Sequence, residues 1–431
     1  MPRIVRAALL VASITFTFPA PALDRYLEEP ILYETTSDDN PVSKLRDRIA
    51  SGEQSLARDP QWGYLKSVLD ALAIPVESQV LVFSKTSLQQ QHISPSNPRA
   101  IYFNDDVYVG VVPGGDVLEI SVADPKLGAA FYSLSQRGDA PTIQRQHESC
   151  LQCHASSLTY GTPGHLIRSL FVDARGFPIL KAGSKVTTHE SPFEERWGGW
   201  YVTGTHGAAR HMGNTLAVET EQGADLDREV GANLTTLPAA VTRENYLVPH
   251  SDLVALMVLE HQTVMHNLIT NADFETRSAL HGQSVMDTLL ERPAGVLSEL
   301  TQRRIANAGN KLLDYMLFAK EPALEAPIAG TSGFAENFAK VGPFDAQGRS
   351  LRDLDLGQRL FKYPCSYLIY SPQFDGLPAP MKEWIYQNLW EILQGNPPQD
   401  KDYRLTSEQR VAIREILRDT KKDLADYWRQ G

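Results

Sequence analysis

Cysteine is scarce: three occur among 431 residues. So small and odd a count excludes a disulfide-stapled scaffold and leaves at least one thiol without a disulfide partner in the chain. Positive charge is also short, with 41 Lys and Arg against 52 Asp and Glu and no clustered basic run. That balance disfavours nucleic acid and anionic lipid surfaces, both of which reward grouped cations. Past Ala22 no apolar stretch approaches the ~20 residues that a bilayer-spanning helix needs. No GxSxG elbow, phosphate loop or EF-hand ligand run is found, which weakens hydrolase, nucleotide and calcium readings. Glu260-His261 followed by His266 does not match the HExxH pair of a zinc protease. There is no internal repeat and no low-complexity tract.

What is present begins at the N-terminus. Arg3 and Arg6 precede an apolar stretch from Ala7 to Phe18, and Ala20-Pro21-Ala22 follows. This order predicts a cleavable export signal over residues 1–22 and a mature protein that is periplasmic or secreted. Removing Arg3 and Arg6 leaves 39 basic against 52 acidic residues, a net charge of −13 over 409 residues. Such a surface keeps an exported protein soluble, and it would also steer a basic redox partner.

Cys150-Leu151-Gln152-Cys153-His154 reads CxxCH. At this spacing two thiols add to the vinyl groups of a haem while the next histidine ligates its iron. The expectation is one haem c per chain, covalently bound. A zinc site would need two more ligands at finger spacing, which the sequence does not offer; a disulfide is the remaining alternative. On these residues the chain resembles the c-type cytochromes. The resemblance implies thioether bonds from Cys150 and Cys153 and a proximal iron bond from His154. It covers the motif alone, because a small carrier cytochrome has its motif near the start of a compact helical domain and a di-haem peroxidase has two. Cys365, in the aromatic run Tyr363 to Tyr370, is then expected to be a buried, inert thiol.

The fold class expected is α+β, with an antiparallel β meander before the motif and a mainly helical C-terminal half. Residues 23–41 read as an acidic, mobile leader, and residues 42–135 as two short helices followed by the meander. Strands are expected over 79–83, 100–103, 107–112, 117–122 and 129–134, punctuated by Asn104-Asp105-Asp106 and Pro113-Gly114-Gly115-Asp116. Residues 136–248 form the haem-attachment segment, with a hairpin over 166–180 and an extended loop over 214–248. Residues 249–431 are read as helical, with helices near 251–270, 296–319, 351–361, 381–393 and 406–428.

The sixth iron position separates electron transfer from chemistry at the metal. His206, His211 and Met212 lie together downstream of the motif and are candidates, with His211 slightly favoured. His261 is a fourth, sharing a helix face with Met257 and Met265, although core packing explains that stripe as well. Haem propionates call for cations, and Arg168, Arg196 and Arg210 are the candidates, with Arg145 behind them. Trp197 and Trp200 could pack on the porphyrin or fill the core. The leading functional expectation is therefore an exported monohaem redox protein, performing electron transfer or haem-dependent oxidoreduction. A module that binds or senses a diatomic gas without turnover is the alternative, and a structural haem in an interaction protein a third.

Overall fold

Alternating apolar residues along consecutive strands build the centre of the molecule. The computed structural model describes residues 25–138, 140–293 and 295–429; the expected export signal lies outside them. Helix α1 (Pro41–Ala50) starts at Asn40, whose side chain accepts from the backbone N–H groups of Val42 and Ser43, and α2 (Leu65–Ala71) follows. The strands are β1 (Val80–Val82), β2 (Arg99–Phe103), β3 (Val107–Val111), β4 (Val117–Asp124), β5 (Gly128–Ser135) and β6 (Ile143–Gln146). They pair antiparallel in sequence order, and a late strand, β9, adds beside β1 to close a seven-stranded sheet. Before β9 come the motif helix α3 (Glu148–His154) and a small hairpin of β7 (Arg168–Leu170) and β8 (Ser184–Val186). Strand β9 itself is Trp200–Tyr201, and β10 (Val218–Thr220) and β11 (Gly223–Asp225) form a second small hairpin.

Register decides what each face of the sheet covers. Leu118 pairs with Leu134, Ile120 with Tyr132 and Val122 with Ala130, so these residues share one face. They pack with Leu81, Tyr102 and Val109 against Val42 and Leu45 of α1 and Leu65, Val68 and Leu69 of α2. Val80, Val82, Phe103 and Tyr108 point the other way, onto the helical half.

That half is organised by α4 (Leu253–Leu289), a helix of 37 residues capped by Asp252, whose carboxylate accepts from Val254 and Ala255. Every residue from Leu253 to Thr270 is buried, so this stretch is a core helix with no solvent face. Around it lie α5 (Glu299–Met316), α6 (Phe334–Ala339), α7 (Pro372–Asp375), α8 (Ala379–Leu393) and α9 (Ser407–Thr420). The protein is thus α+β, with an antiparallel meander before the motif and a mainly helical C-terminal half. Among the described residues no helix is long and apolar enough to cross a membrane.

Several local expectations change. The leader is packed: Tyr26, Ile31 and Tyr33 are buried, and the Tyr33 hydroxyl donates to the Ala129 carbonyl at 2.8 Å. Residues 351–361 turn back on themselves where a helix was expected. Asp355 accepts from the N–H groups of Gly357 and Gln358, Leu356 has φ +58°, and Leu354 bridges Phe361. In the 166–180 hairpin, Asp173 closes the turn and Val172 bridges Pro178, but proline has no N–H to extend a ladder. Strand β7 pairs with β8 instead. Two short strands also occupy part of the loop expected over 214–248.

Candidate cofactor site

Helix α3 carries the motif. Cys150 and Cys153, three apart on a helix, project from neighbouring positions; both are free thiols, Cys153 exposed and Cys150 half-buried. Leu151 between them is buried and ties the helix to the sheet core. Burial, chiefly, raises the Cys150 thiol above its ordinary value. His154 ends the helix, and its Nδ1 lies 3.0 Å from the carbonyl oxygen of Gly164. A carbonyl only accepts, so Nδ1 carries the proton and Nε2 keeps its lone pair. The Gly164 N–H donates back to the His154 carbonyl at 2.8 Å, joining the two residues twice. The Phe131 ring of β5 covers the imidazole, centroid to centroid 4.9 Å at 51°. Burial, chiefly, lowers the His154 pKa, so the ring is neutral.

The neighbouring sheet face is polar. Val82 and Arg99, then Gly110 and Glu119, then Glu119 and Ser133 are cross-strand partners on the side away from α1 and α2. Arg99 and Glu119 form an ion pair of 2.7 Å, each side chain about four-fifths buried (23 % and 19 % exposed). Glu119 also accepts from Ser87 and Gln89. Both charged groups act on the Cys150 thiol and on the His154 ring, which places this pair beside the motif. The Arg99 Nε is buried without a hydrogen-bond partner. Gly110 leaves the guanidinium its room, since a Cβ there would come within 2.6 Å of Nε. Two free thiols, an imidazole held by Nδ1 alone, and a guanidinium with an orphaned N–H whose charge acts on both fit a covalent haem with acidic side groups.

The sixth-ligand candidates are placed elsewhere. His206 uses both ring nitrogens, Nδ1 donating to the Ala209 carbonyl at 2.8 Å and Nε2 accepting from the Asn233 N–H at 2.9 Å. His211 accepts the Gly213 N–H on Nδ1 at 3.0 Å, which puts its proton on Nε2. Met212 is buried with its sulfur 3.6 Å from the Ser169 hydroxyl. These three follow β9, where Met212 bonds the Arg196 carbonyl and Asn214 the Trp200 carbonyl. In the sheet order β9 lies five strand places from β5, whose Phe131 covers His154. His261 has Nδ1 2.8 Å from His189 Nδ1 and Nε2 2.8 Å from the Ser366 hydroxyl, inside rings of Phe318, Tyr315 and Phe361.

The arginine candidates are engaged as well. Arg196 is buried and pairs with Glu260 on α4, while also donating to the His189 and Ser191 carbonyls. Arg210 pairs with Glu229 and donates to the carbonyls of residues 207–209. Arg168 donates to Ser184, and Arg145 to the Tyr33 and Thr36 carbonyls, while the Nε of each is buried without a partner, as it is in Arg99. Trp197 gives its indole N–H to Glu260 at 3.0 Å and holds φ +62°, a strained conformation for so large a residue. Trp200 donates to the Arg168 carbonyl. Cys365 is fully buried with its thiol pushed up to about 12 by burial, an inert thiol.

Arg99, Glu119, Phe131, Gly164 and His165 were missed by sequence reasoning. The inward polar residues of β2 and β4 were the available signal, since a charged residue on the core-facing side of a strand needs a reason. His165 follows the carbonyl that holds His154; its ring packs on Tyr108 at 4.4 Å and its Nε2 is buried without a partner. Comparison with known proteins adds no relative to this geometry: no protein family matches the sequence, no curated protein matches it, and no solved structure matches it.

Proposed function

We propose that this chain is an exported c-type cytochrome, periplasmic or secreted, that carries one covalent haem on Cys150 and Cys153 and serves in redox chemistry. The observation that carries the reading is the state of His154, whose Nδ1–H is held by the Gly164 carbonyl while Nε2 is left with its lone pair. Cys150 and Cys153 would each add S–H across a vinyl group, the sulfur bonding one carbon and the hydrogen going to the other, with no oxidant consumed. His154 supplies the iron bond, Phe131 shields the ring from water, and Arg99 offers an N–H to an acidic side group. Haem, when bound, supplies a one-electron redox couple. The acidic balance of the chain favours a basic redox partner.

His206, Met212 and His261 are held in other contacts, and His211 is held through Nδ1, its Nε2 being buried without a partner. This supports an iron with an exchangeable sixth position, and with it either oxidoreduction of a small molecule or binding of a diatomic gas. The test is a denaturing haem-attachment assay on the exported protein, followed by ferric and ferrous spectra with and without carbon monoxide. Covalent haem with a spectrum that shifts on adding carbon monoxide is expected. Absence of covalent haem overturns the proposal, whereas a low-spin spectrum indifferent to the gas keeps the cytochrome and restricts it to electron transfer.

A further inference from the structure

Asn267 lies on the buried stretch of α4 and is 1 % exposed. Its Oδ1 accepts the His165 N–H at 2.7 Å, and its Nδ2 donates to the His165 carbonyl at 2.7 Å. The His165 N–H belongs to the same peptide unit as the Gly164 carbonyl. One peptide group is therefore held at both ends, by Asn267 on its nitrogen side and by His154 Nδ1 on its oxygen side. Space is built for this clasp: a Cβ on Gly164 would sit 2.8 Å from Asn267 Cγ and 3.0 Å from Thr159 Cβ.

Hydrogen bonds in series polarise one another, so an acceptor on the N–H makes the carbonyl of the same peptide a stronger acceptor. A stronger acceptor draws the Nδ1 proton of the imidazole and raises the basicity of the opposite nitrogen. We infer that Asn267 is a positioning residue for His154, acting through the 164–165 peptide to fix the ring's tautomer and set the donor strength of Nε2. The inference rests on the haem reading for its redox consequence. It links the central helix, whose neighbouring His266 and Gln262 bond the sheet side through Asp105, Asn104 and Tyr108, to the iron ligand.

The test compares the full-length exported protein with Asn267→Ala and Asn267→Asp. A buried aspartic acid in its protonated form keeps both an acceptor and a donor, so it should rescue. In Asn267→Ala a less basic ligand favours the reduced iron, and the equilibrium constant for reduction should rise up to about tenfold, or 59 mV for one electron. Asn267→Asp should stay near the parent. In parallel, in protein prepared without haem, where no iron occupies Nε2, the ¹⁵N shifts of the His154 ring should report a single Nδ1–H tautomer in the parent and a mixture in Asn267→Ala. Should the alanine variant fail to fold, Asn267→Leu, which keeps the side chain's shape but neither acceptor nor donor, takes its place. Attached haem with unchanged potential and unchanged tautomer in the folded variant overturns the inference. A parent without covalent haem overturns the haem reading instead, and the ¹⁵N shifts then decide the clasp by themselves.

Discussion

Arg196 and Glu260 form an ion pair in which the two side chains are 4 % and 0 % exposed. The pair fastens the 189–197 segment to the first third of α4, and Trp197 and the His189 carbonyl complete the cluster. Charges buried this deeply stabilise only as a set, because removing one leaves the other without water or partner. Glu260→Gln or Arg196→Met alone should therefore cost about 3–5 kcal/mol. Urea unfolding should show a lower midpoint with unchanged slope. The double variant Arg196→Met, Glu260→Leu should recover much of the loss; additive losses would contradict this account.

The motif thiols are separable. Replacing Cys150 and Cys153 together by Ser should abolish haem that survives denaturation. Either single replacement should leave one thioether and a shifted ferrous spectrum, measured as a pyridine complex. Covalent haem in the double variant would sink the assignment.

Buried histidines make stability pH-dependent, His211 and His261 among them. His211 and His261 are pushed down to about 3, mainly by burial, with His206 and Arg210 adding to the first and His266 to the second. Unfolded, both titrate near the ordinary ~6.5. Between those values the unfolded chain binds protons that the folded chain does not, so stability rises with pH across the window and is lost as pH falls from about 6.5 toward 3. Each group contributes about 1.4 kcal/mol per pH unit. The buried carboxyls of Asp106 and Asp273, raised to about 7, and of Glu260, raised to about 8, all chiefly by burial, act with the opposite sign above ~4. The histidine share is therefore read by difference, in unfolding free energies measured at several pH values: His211→Gln should lose one proton's share of slope relative to the parent, and an equal slope would refute the assignment.

The polar pair beside the motif should tune the haem with opposite signs. Arg99→Gln removes a positive charge and should disfavour reduction by about 1 kcal/mol at the effective dielectric of a half-buried site, and Glu119→Gln should favour it by a similar amount. Gly110→Ala, whose Cβ displaces the flexible Arg99 guanidinium, should move the potential as Arg99→Gln does, by less. Potentiometric titration of the three variants reads this directly, and shifts of one sign throughout would remove the pair from the site.

Substitutions around β9 should leave the iron alone. His206→Gln and Met212→Leu are expected to change thermal stability but neither the ferric spectrum nor its response to carbon monoxide. A low-spin parent turning high-spin in either variant would bring that segment to the iron.

Much of the architecture is readable from the chain because strand alternation and turn chemistry act locally. Asn104 accepting from Val107, and the alternation of Leu118, Ile120 and Val122, both announce the meander. The long α4 was only half legible: the stretch near 251–270 declares itself by its strongly apolar composition, whereas the polar remainder carries no apolar stripe. The expected helix over 351–361 gave way to an Asx turn at Asp355. The leader was misjudged as mobile because two tyrosines and an isoleucine among acidic residues carry too little pattern to reveal that they fill the space beneath β5.

By itself the sequence determined the motif Cys150 to His154, because two thiols and a histidine within one helical turn and a half are a local spacing. It also determined the α+β class, through periods of two and 3.6 residues. The tertiary structure alone decided which carbonyl holds His154, which cations neighbour it and which histidines do not. Those relations join residues such as His154 and Asn267, or Arg99 and Cys150, across separate elements. Burial and strand register bring them together, and neither is encoded at any fixed spacing along the chain.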